Sequence, residues 1–398
     1  MTKIKKYDII CDRGEIMNKK YTYLKAVLEY GCKIKKGETL LVIIPEEAQE
    51  EKNIIKSLKE EYGIKEIIFN PQKSPKTIYN FLKMNPTEKE IKAFIGTEPL
   101  KTPTSNLKCL DLSYSYNEPD KEQKLNYEIL EEYQKYCNIN RQRVIKTYKQ
   151  VTEENRTISV IPTQSWANKV TNGDKEKLWE YLAKITPYDD IKYIIEHLEE
   201  LKNKLNKLKL SKMHFEAKNG TNFDIKLSNY SLWQTVSENK TNTNFPSYEI
   251  YTAPNKNTIN GKVIITKPTN MYGETINEGI LTFENGLLVK CDTDNDSYSK
   301  KVMNNENKLN RVGEIALVAE SPIKKENLTF HNIILDENAG CHLALGQYIN
   351  TTIKKEKPKI FHQSNYHEDL IFDAQDLHVT GTKNHKTRTL INNDKWTI

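Results

Sequence analysis

The sequence predicts an N-terminal α/β domain built on a mainly parallel sheet, followed by an α+β, largely antiparallel C-terminal domain that carries the chemistry. Three observations support this. In the first hundred residues short apolar runs alternate with amphipathic helical stretches, the pattern of βαβ units. After about residue 211 the periodicity switches to short strands joined by polar turns, as antiparallel pairing requires. A length of 398 residues exceeds what one hydrophobic core usually serves. The expected domains are 1–210, ending in a helical linker, and 211–398.

The elements follow in order. YTYLKAVLEYG (21–31) has apolar residues at helical spacing and a glycine stop, and GETLLVIIP (37–45) is a continuous apolar strand closed by proline. EEAQEEKNIIKSLKEEYG (46–63) reads as a second amphipathic helix, with KEIIFN (65–70), IKAFIG (91–96) and CLDLSYS (109–115) as short strands. From 118 to 210 the pattern is helical, interrupted by RTISVIPTQSWANKV (156–170) and resumed in DKEKLWEYLAKI (174–185) and DIKYIIEHLEELKNKLNKL (190–208). Then come the strands KMHFEA, NFDIKLS, PSYEIYT, GKVIITK, GILTF and LLVKC, the last two joined by Glu284-Asn285-Gly286, a hairpin signal. A helix near 338–346 and further strands complete the chain.

Composition narrows the function classes. The +6 charge arises from 60 basic and 54 acidic residues spread along the chain, which argues against a dedicated nucleic-acid protein. The lysine-rich run at 202–214 continues a helical pattern and reads as a solvated helix face. Six cysteines without a CxxC pair argue against thiolate zinc and a disulfide scaffold. The N-terminus lacks an apolar signal region, and no run approaches the roughly 20 apolar residues that span a bilayer. The expectation is a cytoplasmic protein with no membrane contact, in which the sequon at Asn239 is silent.

Six of the eight histidines lie from His331 onward, so proton-transfer and metal-binding capacity concentrates in the second domain. In NYHEDLIF (365–372), if extended, His367 and Asp369 share a face and could hold one cation, although a polar strand face turned to solvent explains the tripeptide better when it is taken alone. PSYEIYTAP (246–254) places Glu249 among apolar neighbours. In RVGEIALV (311–318) Glu314 opens an apolar strand, where a carboxylate is costly unless paired, hydrogen-bonded or metal-bound; a buried salt bridge fits equally. DENAGCHLALGQY (336–348) gathers Glu337, His342 and Tyr348. On a helix starting near Asp336, Glu337 and His342 are about 140° apart, so they form no local metal pair, and any site must draw on distant segments.

The ordered set PTQSWA (162–167), NGTNFDIKL (219–227), FPSYEIYTAP (245–254), VGEIALV (312–318), FHNIILDENAGCHLALGQY (330–348) and NYHEDLIF (365–372), with YLKAVLEYGCKIKKGETLLVI (23–43) at the start, resembles the thermophilic aminopeptidase family over nearly the whole chain. The resemblance implies a dinuclear metallopeptidase that removes N-terminal residues from peptides. Its implied metal residues are Glu249, Glu314, His342, His367 and Asp369, with Glu337 as a sixth at the edge of the site. Glu314, Glu337 and Tyr348 are the implied catalytic groups, and two Zn²⁺, Co²⁺, Mn²⁺ or Mg²⁺ ions about 3.5–4 Å apart the cofactors. Peptides with a free N-terminus are the expected substrates and a homodimer the expected assembly. Two departures stand out: Tyr248 precedes Glu249 where the family carries a second acid, and Tyr348 follows His342 by six residues instead of seven. Two alternatives belong to other classes. One is a mononuclear Fe²⁺ ring-cleaving dioxygenase of the same superfamily, using His342, His367 and Asp369; the other is a non-catalytic homologue that acts by binding.

Overall fold

The computed structural model describes residues 18–96, 106–115, 127–235, 243–271, 274–305, 308–354 and 359–398. Cys11 and the Asn239 sequon lie outside them. The chain divides into two compact units, one of Met1–Ala183 with Asn239–Phe245, the other of Lys184–Glu238 with Pro246–Ile398.

The first unit is α/β. Helix α1 (residues 18–26) runs into a wide π turn, Val27–Gly31. Strand β1 (Thr39–Pro45), helix α2 (Gln49–Glu61) and strand β2 (Glu66–Gln72) form a βαβ unit. Helices α3 (Pro75–Lys83) and α4 (Glu88–Ile95), strand β3 (Leu107–Asp111), helix α5 (Tyr127–Thr147), strand β4 (Arg156–Ile158) and helices α6 (Gln164–Val170) and α7 (Lys175–Ile185) follow. The four strands are all parallel, in the order β2-β1-β3-β4. Segment 239–245 belongs here because its described end lies along β4, where the Phe245 N–H donates to the Ile158 carbonyl (2.9 Å) and Ser159 Oγ donates to the Phe245 carbonyl (2.7 Å).

The second unit opens with helix α8 (Tyr188–Leu208), which buries Leu198, Leu201 and Leu205 at helical spacing. Strands β5 (Lys212–Glu216), β6 (Asn222–Lys226), β7 (Glu249–Thr252), β8 (Asn260–Ile265), β9 (Thr269–Met271), β10 (Glu274–Ile276), β11 (Gly279–Glu284) and β12 (Leu287–Thr293) come next, then α9 (Asp296–Met303) and β13 (Val312–Val318). Short helices α10 (Pro322–Lys325) and α11 (Ile333–Asp336) precede β14 (His342–Gly346), β15 (His367–Ile371), β16 (His378–Lys383), β17 (Lys386–Asn392) and β18 (Lys395–Trp396). The β11–β12 turn has positive φ at both Asn285 and Gly286, the hairpin geometry that Asn-Gly favours. An antiparallel eight-stranded sheet, β12-β11-β8-β6-β5-β16-β17-β18, and a four-stranded one, β15-β14-β13-β7, contribute to one apolar core. Within it Phe215 and Phe223 stack at 4.6 Å, with Phe372 edge-on to both.

Two expected elements differ. IKAFIG is helical, as part of α4: Thr87 caps it and Glu90 reaches back to the Thr87 N–H (2.8 Å), a capping box that outweighs the β-branched residues of a short apolar run. The helix expected near 338–346 is a short turn, Glu337–Ala339, followed by strand β14. Ladders to β13 and β15 on both sides satisfy that strand's backbone, and this tertiary pairing overrides the helix propensity of Leu-Ala-Leu. Among the described residues the cysteines are free, and no helix is long and apolar enough to cross a membrane.

Candidate metal centre

The four-stranded sheet has two unlike faces, and the pairing registers say what lies on each. Directly opposed residues in an antiparallel ladder share a face, and so do residues i and i+2. Glu249 opposes Val318, His342 opposes Ala316, Asp369 opposes Ala344, and His367 opposes Gly346. Glu314 also opposes Ala344 and is two residues from Ala316. All five therefore project from one face, interleaved with alanine and glycine that leave room between them. The opposite face carries Ile250, Ile315, Leu317, Leu343, Leu345 and Leu370, all in the apolar core. β13 and β14 are buried on both faces along their whole length and are apolar apart from Glu314 and His342.

The donors form two groups that share Glu314. Glu249, Glu314 and His342 offer ligand atoms within 4.8 Å of one another, as do Glu314, His367 and Asp369. His342 Nε2 lies 3.1 Å from Glu249 Oε2 and 3.9 Å from Glu314 Oε1. His367 Nε2 lies 3.3 Å from Asp369 Oδ1 and 3.7 Å from Glu314 Oε2. Each imidazole is anchored from behind: His342 Nδ1 donates to the Gly340 carbonyl (3.1 Å) and His367 Nδ1 to the Gln347 carbonyl (2.7 Å). Backbone anchoring of Nδ1 leaves Nε2 as the lone-pair donor, the arrangement of metal-ligating histidines.

The electrostatics fit cations as well. With Glu337, four carboxylates face two imidazoles in a site where His342, Glu314, Glu249 and Glu337 are each at most 5% exposed. Burial pushes the Glu314 carboxyl up to about 8, and burial followed by the charges of Asp369 and Glu249 raises Glu337. Burial opposes a charge on His342, but the Glu249 hydrogen bond and the surrounding carboxylates outweigh it and raise the imidazole to about 10. Burial also disfavours the Asp369 anion, yet His367 beside it keeps its carboxyl low. Glu314 Oε2 is buried without a hydrogen bond. An orphaned carboxylate oxygen among like charges is costly, and divalent cations would relieve that cost, so the donor set fits such ions.

Glu337 reaches the cluster from the turn after α11 and belongs to neither donor group. Tyr348 packs with Ala253, Ile353 and Phe361, and among the described residues it makes no hydrogen bond or ion pair to the six acidic and imidazole groups. Tyr248, in the place of a second acid, is 2% exposed and donates its hydroxyl to the Ile185 carbonyl. The sequence reading did not single out Gly340, Gln347, Ser247 or Asn338. Three of these act through a backbone carbonyl or a small polar side chain, which leave little compositional signal. Asn338 stood in the open, inside the segment that held Glu337.

Residues 17–396 match the family described as thermophilic metalloprotease (M29). Aminopeptidase 2 of Geobacillus stearothermophilus is 32% identical over 263 residues, 59% of this chain; the aligned part spans 63% of that relative, less than two thirds of its length. Among solved structures, AmpT from Thermus thermophilus superposes with a TM-score of 0.79 at 22% identity, covering 96% of this chain and 99% of that one. A 2,5-dihydroxypyridine dioxygenase from Pseudomonas putida KT2440 superposes at 0.51 with 12% identity, covering 96% and 97%. Both likenesses speak to fold.

Proposed function

We propose that this chain, which belongs to the thermophilic metalloprotease family, is a dinuclear metal-dependent aminopeptidase that removes the N-terminal residue of peptides. The observation that supports this most strongly is the pair of donor groups sharing one carboxylate. Glu249, Glu314 and His342 would hold one ion, and Glu314, His367 and Asp369 the other. Imidazole mixed with carboxylate favours Zn²⁺, Co²⁺ or Mn²⁺ over Mg²⁺. The homodimer expected from the resemblance and the cytoplasmic placement expected from the composition belong to the same proposal.

When bound, the ions supply Lewis acidity, bringing the pKa of water towards neutrality and polarising a carbonyl. The chain's own residues supply the rest. His342 and His367, held at Nδ1, keep their Nε2 atoms fixed, so the site is formed before substrate arrives. Glu337 stands outside both donor groups, and its carboxylate is the proton carrier, taking a proton from water and returning it to the leaving amine. A carboxylate outside the donor groups, such as Glu337, or an ion would bind the free α-amine of the substrate, which restricts cleavage to free N-termini.

The dioxygenase alternative needs only His342, His367 and Asp369, and leaves Glu249, Glu314 and Glu337 as buried acids without a task. The test is metal analysis of the purified chain with an assay on short peptides bearing free and acetylated N-termini. Two divalent ions per chain and chelator-sensitive release from free N-termini alone are expected. One iron per chain with oxygen uptake and no amine release would move the protein to the dioxygenase class. Equal rates in wild type and Glu314→Gln would mark a contaminant and leave the non-catalytic alternative.

A further inference from the structure

Of the four carboxylates around the centre, Glu314 and Asp369 stand on strands β13 and β15, each paired along its length with β14. The other two are held less directly. Glu249 begins β7, whose ladder with β13 ends at the Val318–Glu249 pair, and Glu337 lies in a three-residue turn. Resting on the metallopeptidase reading, we propose that Asn338 is the positioning residue that fixes these two carboxylates relative to each other.

Asn338 is fully buried, and its amide uses both ends. Where the β7 ladder stops, Oδ1 accepts the next N–H, that of Tyr248, at 2.6 Å, and the Ser247 hydroxyl at 3.2 Å. Ser247 Oγ is itself 3.5 Å from Glu249 Oε1. On the other side Nδ2 donates to the Ile334 carbonyl at 3.1 Å and to Glu337 Oε1 at 3.4 Å. The backbone carbonyl of Asn338 accepts from Ser321 Oγ at 2.6 Å, tying in the segment after β13. One side chain thus links the approach to Glu249 with Glu337. The link needs an acceptor and a donor on a short planar group, which only asparagine supplies at this length. An aspartate keeps the acceptor, loses the donor and adds a charge beside Glu337; an apolar residue strands buried polar groups on both sides.

The test uses the metal-stripped full chain titrated with Co²⁺, read by visible absorbance, together with thermal unfolding. Asn338→Leu, which removes the acceptor for the Tyr248 N–H and the Ser247 hydroxyl behind Glu249, is expected to weaken Co²⁺ binding by about 10- to 100-fold, the usual consequence of removing a support behind a ligand. Ser247→Ala, which removes only the hydroxyl between Asn338 and Glu249, is expected to weaken it less but in the same direction. Val379→Ala, a buried truncation in β16 of the eight-stranded sheet, serves as a destabilised control with wild-type affinity. Affinity within twofold of wild type in both folded site variants overturns the role. So does an equal loss in the control, or an unfolded Asn338→Leu accompanied by a Ser247→Ala that binds normally. A wild type that binds no divalent ion overturns the metallopeptidase reading itself.

Discussion

Replacing Glu314 by glutamine should shift stability in opposite directions with and without metal. The side chain is 3% exposed, one oxygen makes no hydrogen bond, and burial raises its carboxyl from the ordinary 4.5 to about 8. A carboxyl whose folded pKa is raised contributes stability that is complete below about pH 4.5 and is lost as pH rises through about 8. At pH 7, holding the proton against solution costs about 1.4 kcal/mol for each pH unit above the ordinary value, on the order of 3 kcal/mol. Glutamine has no such cost, so metal-stripped Glu314→Gln should exceed metal-stripped wild type by up to that amount, with a gap that widens from pH 5 to pH 8. With metal the order reverses. Wild type gains about 2.7 kcal/mol at a metal concentration 100 times Kd, and the variant, lacking the carboxylate common to both donor groups, gains little. Urea unfolding of both proteins, stripped and loaded, across pH 5–8 measures all four quantities. A variant less stable than wild type without metal, or one that keeps the full metal-induced gain, would refute the reasoning.

Two further outcomes follow from neighbouring packing. A β-carbon on Gly340 would lie 2.1 Å from Cβ of Asp373, so Gly340→Ala must push apart the starts and ends of β14 and β15; a loss of about 1–3 kcal/mol in urea unfolding and weaker metal binding through His342 are expected, and an unchanged unfolding midpoint would show that the contact yields. Asp373 pairs with Lys324 Nζ at 2.5 Å, yet burial lifts its carboxyl from 3.8 to about 6, so its contribution is complete below about pH 3.8 and lost as pH rises through 6; Asp373→Asn should therefore gain on wild type between pH 4 and pH 7 by up to about 3 kcal/mol, and a gap independent of pH would contradict that.

Much of this architecture was legible in the residues. The switch from alternating helix and strand signals to strands and turns marks the two sheet types, and the Asn285-Gly286 turn has the positive φ pair that its residues favour. Period-two spacing placed His367 and Asp369 on one face before any partner was known. The stretch 342–346 was not legible, because an apolar run of five residues fits helix and strand alike and only its two neighbouring strands decide. For IKAFIG the deciding signal was present in the sequence, in Thr87 and Glu90, but it lay upstream of the run itself.

The sequence by itself determined which residue types could make a metal centre and on which strands most of them ride, because side-chain alternation is a local property of extended backbone. Only the tertiary structure decided that they converge. Glu249, Glu314, His342, His367 and Asp369 come from four strands separated by up to 120 residues, and a shift of one residue in any ladder would turn that strand's ligands into the apolar core. Register, and the supports behind each ligand such as Asn338 and the Gly340 carbonyl, depend on long-range pairing, which no local pattern encodes.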